Sequence, residues 1–417
     1  MPRRQGYALL IALVAGTAAL AAAVAFGTSL IAGARQAPLS GPETRAAARD
    51  PAAPANSIGT WVATWTAAPV SAEPHTGQGY PGRTIRNIVH TSVGGDAARI
   101  TLSNLFGVAP LVIDQATVNT RRVTFGGLPT VTVAAGRQVV SDPVVVPVAP
   151  DTDLEVAFRT PHASGPVTQH PNTHQTSYLA DEHATWSTTR WRYLTAVDVR
   201  NTTSPGAIVV LGDSLTAGSG STTDADNRWP DVLSDRLRHT YGIANQGIAG
   251  NRLLRDSPPA RNGAGGQSGA HRFERDVLSV AGARTVIVAL GINDVQQHPQ
   301  EHDPDRITAG LRSLTERARA QGLRVVGATL TPFQGYATWS PESERVRRAV
   351  NEEIRSGRIF DAFVDFDRVV RDPYAPNRIL PAYDSGDRLH FNDAGYRALG
   401  HAIDLGTVDG TPKADAF

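Results

Sequence analysis

The stretch AIVVLGDSL at residues 207–215 places five consecutive apolar residues directly before a short turn that carries a serine. A continuous apolar run of this length is typical of a strand that is buried on both faces of a parallel sheet. In α/β proteins, ligands bind at the edge of the sheet where the strands end. The stretch therefore predicts a parallel α/β sheet and places Ser214 at its functional edge.

Strand and helix patterns alternate through the rest of the carboxyl-terminal half. Further strands are predicted at residues 285–290, 323–330 and 363–366. Helices are predicted at residues 229–237, 305–321, 341–355 and 393–403. The alternation predicts a three-layer α/β domain at residues 204–406, with helices on both faces of the sheet.

Short polar motifs lie at the ends of the predicted strands and just before the last helix. They are Gly212-Asp213-Ser214-Leu215, Gly247-Ile248-Ala249-Gly250-Asn251, Gly291-Ile292-Asn293-Asp294 and Asp387-Arg388-Leu389-His390. Each motif alone is weak, because Gly, Asp, Asn and Ser favour turns for local reasons. Together they bring a hydroxyl, an imidazole, a carboxylate and amide donors to one edge of a sheet, which indicates nucleophilic hydrolysis.

On these motifs, residues 206–403 resemble the GDSL/SGNH hydrolase superfamily. The resemblance implies a flavodoxin-like α/β fold and a carboxylic ester hydrolase activity. It also implies that Ser214 is the nucleophile, that His390 is its general base and that Asp387 orients the base.

The same resemblance implies an oxyanion hole made of the amides of Ser214 and Gly250 and the side chain of Asn293. These donors would stabilise the charge that develops on the ester carbonyl oxygen as the acyl-enzyme forms. Because hydroxyl, imidazole and amides complete the reaction cycle, we expect neither a metal nor a cofactor.

A closer likeness rests on LGDSLT at 211–216, NRWPD at 227–231, NQG at 245–247 and YDSGD at 383–387. These segments resemble the arylesterase/acylhydrolase subfamily found beside bacterial xylanases, whose members also resemble this chain before the catalytic domain. One departure is Phe391, where relatives often carry proline, and we expect it to alter the wall of the pocket.

Residues 58–203 have a different pattern, in which apolar and polar residues alternate over short segments. The alternation is plain at residues 98–102, 130–133 and 154–158, with turn-forming residues between the segments. It predicts an all-β sandwich or jelly-roll accessory domain. The region contains no set of catalytic residues, so a structural or substrate-presenting role is expected.

Histidines are frequent in this β region and suggest a metal site, at His162, His170, His174 and His183. The segment Pro171-Asn172-Thr173 interrupts any helix that would align the middle pair, and no acidic ligand recurs at a suitable spacing. We therefore interpret all of them as solvated loop residues.

Tryptophans near the two ends of the β region suggest a sugar-stacking platform, at Trp61, Trp65, Trp186 and Trp191. Burial in the core or at the domain interface is the preferred interpretation, because each ring removes a large apolar area from water.

The amino terminus predicts export. Arg3 and Arg4 precede a charge-free apolar stretch, so residues 1–34 are interpreted as a signal peptide or an uncleaved signal anchor. Either alternative places the rest of the chain outside the cytoplasm, secreted or on the outer face of the cytoplasmic membrane. Residues 35–57 have the composition of an Ala/Pro-rich linker, and residues 407–417 are predicted to be a loose tail.

Composition excludes several classes of function. The chain contains no cysteine, which excludes thiolate catalysis and disulfide frameworks. A net charge of +1 gives no reason to expect a nucleic-acid partner. The sequence does not indicate an oligomeric state.

The sequence therefore predicts an extracellular serine ester hydrolase that acts on short acyl groups, chiefly O-acetyl esters of glycans, and on small aryl esters. Lipid-ester hydrolysis, as by a lysophospholipase, is the alternative within enzymes. Acyl transfer to a sugar and a non-enzymatic glycan-binding protein are further alternatives.

Overall fold

The structure, a computed structural model, describes residues 59–258 and 264–409. The predicted signal segment at 1–34, the linker at 35–57 and residues 410–417 of the tail lie outside the described residues. From residue 59 onward the described chain belongs to one compact unit. None of its described helices combines the length and the apolar character that crossing a bilayer requires.

Residues 60–201 consist of short β-strands joined by turns. They are β1 Thr60–Thr66, β2 Ser71–Ala72, β3 Arg83–Thr91, β4 Gly95–Ser103, β5 Leu111–Val118, β6 Arg121–Arg122, β7 Val131–Val133, β8 Gln138–Val140, β9 Val144–Val148, β10 Thr152–Thr160, β11 Thr168–Pro171, β12 Ser177–Ala180, β13 Thr185–Thr188, β14 Arg190–Arg192 and β15 Leu194–Asn201. All of them pair antiparallel, which confirms the predicted all-β region.

Two of the antiparallel sheets face each other as a sandwich. One has the order β1-β15-β4-β8, with β9 beside β4, and the other has the order β13-β12-β3-β10-β5-β6, with β7 beside β5. Every second residue of β3 is buried, including Ile85 and Val89, as expected for a strand with one face toward a core. These side chains share one apolar cluster with Ile100 and Val197 of the facing sheet. A small third sheet has the order β14-β11-β2.

Residues 207–364 contain the parallel sheet that the sequence predicts. Its strands are β16 Ala207–Gly212, β17 Gly242–Gly247, β18 Ala283–Ala289, β19 Arg324–Ala328 and β20 Ala362–Val364, in the order β17-β16-β18-β19-β20. The α-helices are α1 Ser214–Ala217, α2 Trp229–Arg236, α3 Gly269–Phe273, α4 Ile292–Gln296, α5 Pro304–Ala320, α6 Pro341–Arg355, α7 Phe366–Val370, α8 Asp393–Ala402 and α9 Leu405–Val408. A π-helical turn at Glu274–Leu278 continues α3.

Both faces of the sheet are covered, which makes the three layers. All six residues of β16 are buried, and successive side chains point to opposite faces. Val209 belongs to an apolar cluster with Leu314 of α5, whereas Val210 belongs to a separate cluster with Leu233 of α2. The continuous apolar run at residues 207–211 is explained by this two-sided burial.

The prediction of a loose tail at residues 407–417 is wrong for its first residues. Residues 405–408 form the short helix α9, and Val408 is buried. The Thr285 hydroxyl donates to the Val408 carbonyl at 2.8 Å, and the Arg324 guanidinium donates to the Thr407 carbonyl. Strands β18 and β19 therefore fix this segment, a long-range effect that local composition does not indicate.

The outer edge of the parallel sheet, at β17, is covered by the β region. The Ile243 amide donates to the Ser92 hydroxyl at 2.8 Å, and the Thr66 hydroxyl donates to the Asn245 carbonyl at 3.3 Å. A Cβ atom at Gly242 would lie 2.1 Å from the Ala63 carbonyl oxygen, so only glycine fits there. Edge groups of a sheet need partners, and here residues of the β region supply some of them.

Ionic contacts around His90 of β3 also join the two regions. Its Nδ1 lies 3.1 Å from an Asp153 oxygen and 3.2 Å from an oxygen of Asp226, which precedes α2. Its Nε2 lies 3.0 Å from an Asp151 oxygen. Burial alone would lower the pKa of His90, but the carboxylates outweigh it and raise that pKa. A charged imidazolium with both nitrogens donating fits this site.

The variant His90→Gln should lower the free energy of unfolding more at pH 6 than at pH 9. A raised pKa in the folded state gives stability that is fully present below the unfolded pKa, about 6.5, and is lost as the pH rises through the folded pKa. Urea unfolding of wild type and variant at both pH values measures the difference, because other titrating groups contribute equally to both proteins. The exposed His162→Gln serves as the control. Equal destabilisation at both pH values would show that His90 is not charged in the fold.

Candidate active site

Ser214 is the first residue of α1 and follows β16 by a single residue, Asp213. The Asp213 carboxylate accepts the Leu215 amide at 2.9 Å and so caps the helix. This capping fixes the sharp turn from strand to helix. Ser214 consequently lies at the carboxyl end of β16, which is flanked by β17 and β18, where its sequence position predicts it.

The structure brings Ser214, His390 and Asp387 together in a hydrogen-bonded series. The Ser214 Oγ lies 2.9 Å from His390 Nε2, and His390 Nδ1 lies 2.5 Å from an Asp387 carboxylate oxygen. The other carboxylate oxygen of Asp387 accepts the amides of Leu389 and His390 at 2.9 Å and 2.8 Å. The carboxylate is therefore held by the same short loop that carries the imidazole.

The charge on Asp387 determines which imidazole nitrogen carries the proton. Partial burial would raise the pKa of the Asp387 carboxyl, but the hydrogen bonds from His390 and Leu389 outweigh it and hold that pKa below its usual range. An ionised carboxylate can only accept, so Nδ1 of His390 must donate. Nε2 is then left with a lone pair directed at the Ser214 hydroxyl, which is the arrangement that proton removal from serine requires.

The predicted oxyanion donors Gly250 and Asn293 are connected through Asn251, the residue after Gly250. Gly250 has a left-handed φ of 76°, which glycine adopts without strain. Asn293 lies in α4 and is 2% exposed; its Nδ2 donates to the Asn251 carbonyl at 2.9 Å. An amide nitrogen has two hydrogens, so one remains to donate to a substrate.

A buried arginine that the sequence analysis did not identify connects these segments. The Arg272 guanidinium donates to the Gly212 carbonyl at 3.0 Å and to the Asn251 side-chain oxygen at 3.0 and 3.1 Å. Asp276 balances its charge at 3.1 Å. Arg272 therefore links the turn before the serine to the residue after Gly250. No local pattern marks this role, because the two site residues that Arg272 joins, Asn251 and Gly212, lie 21 and 60 residues away from it.

Two buried carboxyl groups of the motifs, those of Asp213 and Asp294, hold the loops of the site in place. Burial raises the pKa of Asp213 to about 7, and Asp294 adds to the rise. Burial also raises the pKa of Asp294 to about 6, although it accepts the Leu253 and Leu254 amides at 2.7 and 2.9 Å. These amides follow the Gly250 turn, so Asp294 anchors that turn to α4. The motif at 291–294 thus supplies a structural anchor as well as Asn293.

Phe391, at the position where relatives often carry proline, lies in the core of the α/β region. Its side chain is fully buried, and its ring meets Tyr396 edge to face with centroids 5.6 Å apart. The residue after the candidate base therefore anchors the base loop in the core beside α8.

The interpretation of the histidines as solvated loop residues is wrong for His170. It lies in β11, is buried, and its Nδ1 contacts the Ala68 carbonyl at 2.7 Å. Burial lowers its pKa to about 4, so it is neutral in the fold. His162 and His183 are exposed and His174 is half-buried. Among the described residues, none of these histidines belongs to a group of three side chains that could share a metal ion.

The interpretation of the four tryptophans as buried residues is correct for two of them. Trp65 and Trp191 are buried and pack edge to face with centroids 4.8 Å apart. Trp61 and Trp186 are not buried; instead, arginine guanidinium groups lie over their rings at 4.7 and 4.5 Å.

Comparison with known proteins finds a family match within the α/β region. Residues 210–398 match the GDSL-like lipase/acylhydrolase family. The match includes all four motifs that carry the candidate site. Among curated proteins the chain has no match.

Several solved structures are similar to about half of the chain. An aryl esterase from M. smegmatis, in an inhibitor-bound form, shares 20% identity over 46% of this chain and 94% of its own, with a TM-score of 0.38. A carbohydrate acetylesterase family member from Sinorhizobium meliloti shares 19% identity over 48% and 95%, with a TM-score of 0.38. The acetyl xylan esterase AlAXEase shares 20% identity over 47% and 96%, with a TM-score of 0.35.

Proposed function

We propose that this carboxylic ester hydrolase, whose residues 210–398 match the GDSL-like lipase/acylhydrolase family, removes short acyl groups through an acyl-enzyme on Ser214. Its natural substrates would be O-acetyl esters of extracellular glycans, and small aryl esters would serve as artificial substrates. The observation that carries the proposal is the hydrogen-bonded series Ser214, His390, Asp387.

In the proposed reaction, Nε2 of His390 takes the proton of Ser214 as its Oγ attacks the ester carbonyl carbon. Asp387 stabilises the imidazolium that forms. The imidazolium then gives its proton to the leaving alcohol, and the acyl group remains bonded to Ser214. A water molecule, deprotonated by the same imidazole, attacks the acyl-enzyme and releases the acid.

The negative charge on the carbonyl oxygen is met by the backbone amides of Ser214 and Gly250 and by the Asn293 side chain. These donors are fixed before the substrate arrives, so little reorganisation is needed as charge develops. Asn293 is buried and hydrogen-bonded on both sides of its carboxamide, which supports a preorganised role.

The short-acyl proposal rests on the resemblance of residues 211–216, 227–231, 245–247 and 383–387 to the arylesterase/acylhydrolase subfamily. The loop that carries the candidate base lies near the surface, since 19% of the His390 side chain and 43% of the Asp387 side chain are exposed. An accessible base supports an ester that is carried on a large substrate.

The proposed location is outside the cytoplasm, secreted or anchored by the amino-terminal segment. This rests on the charge-free apolar stretch after Arg3 and Arg4.

Matched p-nitrophenyl esters separate the short-acyl proposal from lipid-ester hydrolysis. We expect kcat/KM for p-nitrophenyl acetate to exceed that for p-nitrophenyl dodecanoate by about tenfold or more, because the leaving group is the same and only the acyl chain differs. Release of acetate from acetylated xylan, and not of fatty acid from lysophosphatidylcholine, is expected in parallel. A preference for the dodecanoate together with lysophospholipid cleavage would replace the proposal with the lipid alternative.

A further inference from the structure

Gln297, the residue after α4, uses a single atom to bond two residues of the candidate oxyanion hole, the side chain of Asn293 and the backbone of Gly250. Its Nε2 donates to the Asn293 Oδ1 at 2.8 Å and to the Gly250 carbonyl at 3.1 Å. A primary amide nitrogen has two hydrogens, so one Nε2 satisfies both acceptors. Gly250 and Asn293 lie 43 positions apart in the sequence and are joined here by a single side chain.

These contacts determine which way the Asn293 carboxamide faces. Its Oδ1 accepts from Gln297 and also from the Gln296 Nε2 at 2.7 Å. Rotation of the carboxamide by half a turn would place its NH₂ group against two other NH₂ groups and would leave donors without acceptors. The glutamines therefore keep Nδ2 on the opposite side, where one hydrogen reaches the Asn251 carbonyl.

Gln297 also restricts the conformation of the turn at Gly250. Gly250 has positive φ and no side chain to restrict its rotation. A hydrogen bond to its carbonyl fixes the peptide that follows it. A Cβ atom at Gly250 would lie 3.5 Å from Nε2, which shows how closely the side chain covers the turn.

We propose that Gln297 is a positioning residue, which aligns the Asn293 carboxamide and the Gly250 turn so that both donors face the developing oxyanion. The inference rests on the proposed function, in which Asn293 and Gly250 form the oxyanion hole. Gln297 itself does not touch the reacting atoms.

The test uses Gln297→Ala and Gln297→Glu, measured with p-nitrophenyl acetate. We expect kcat to fall about 10- to 100-fold with KM nearly unchanged, the cost of a small misplacement of catalytic groups. The Glu variant should be at least as slow as the Ala variant, because a carboxylate would face two oxygen acceptors. Gln300→Ala is the matched control, since within the described part of the chain Gln300 bonds only the Gln296 and Thr338 carbonyls; it should keep wild-type kcat and thermal stability.

A double variant separates positioning from a general structural role. If Gln297 acts through the oxyanion hole, adding Gln297→Ala to Asn293→Ala should lower kcat by clearly less than it does in the wild type. Fully multiplicative losses, a change confined to KM, or unchanged kcat in both single variants would overturn the inference. If Gln297→Ala unfolds, the Glu variant decides. Wild-type activity of Ser214→Ala or Asn293→Ala would instead refute the proposed function, so the two failures are distinguishable.

Discussion

Replacing Ser214 with alanine should lower kcat for p-nitrophenyl acetate by roughly 10⁶-fold, the scale of loss when a serine hydrolase loses its nucleophile. The Oγ of Ser214 is the atom that forms the acyl-enzyme, and its hydrogen bond to His390 at 2.9 Å shows it poised for proton transfer. No other hydroxyl in the described contacts approaches His390. Steady-state assays and mass spectrometry of the trapped acyl-enzyme both measure the effect.

The fold of this variant should remain intact, because Ser214 is the first residue of a helix and alanine has the highest helix propensity. Ser279→Ala is the matched control: it is an exposed serine before β18, at the opposite end of the sheet, and should keep full activity. A burst of p-nitrophenol from Ser214→Ala, or an acyl group trapped on another residue, would refute the assignment of the nucleophile.

Replacing Asn293 with alanine should lower kcat roughly 100- to 1,000-fold while KM changes little, the usual cost of removing one oxyanion donor. The Asn293 carboxamide is proposed to bond the oxygen only once it carries negative charge. Its loss therefore raises the barrier without weakening substrate binding. Separate kcat and KM values for p-nitrophenyl acetate, with a thermal melt to verify folding, provide the measurement.

A rise in KM with unchanged kcat would make Asn293 a substrate-binding residue instead. A large fall in melting temperature would indicate that its bond to the Asn251 carbonyl is mainly structural. In that case activity must be compared well below the melting temperature before a catalytic role is assigned.

Helix α6 illustrates what the sequence predicts well. Ser340 precedes Pro341, its hydroxyl accepts the Ser343 amide, and the helix ends at Arg355 as the pattern predicts. The capping residues of this helix, its apolar periodicity and its length are all set by residues that are close together in the sequence. The motif around Ser214 is local in the same sense, since Asp213 and Ser214 act within one turn.

The features that the sequence analysis missed depend on contacts between distant segments. Arg272 and Gln297 support the site only because folding brings them to Gly212 and Gly250. His170 has the same residue type and loop-like neighbours as the exposed His162, yet it is buried against Ala68 of a distant segment. The pairing of β1 with β15, at opposite ends of the β region, has no local signal either.

The contact of Gly242 with Ala63 limits where the chain can be divided when segments of different proteins are fused into a chimera. The family match begins at residue 210, within β16. The next strand along the chain, β17, nevertheless packs against Ser92 and Ala63 of the preceding β region. A gene fusion cut at the family boundary would carry a strand whose exposed amides can recruit another copy of the chain. Chimeras of this enzyme should therefore be joined before residue 59, so that the sandwich and the hydrolase sheet are inherited together.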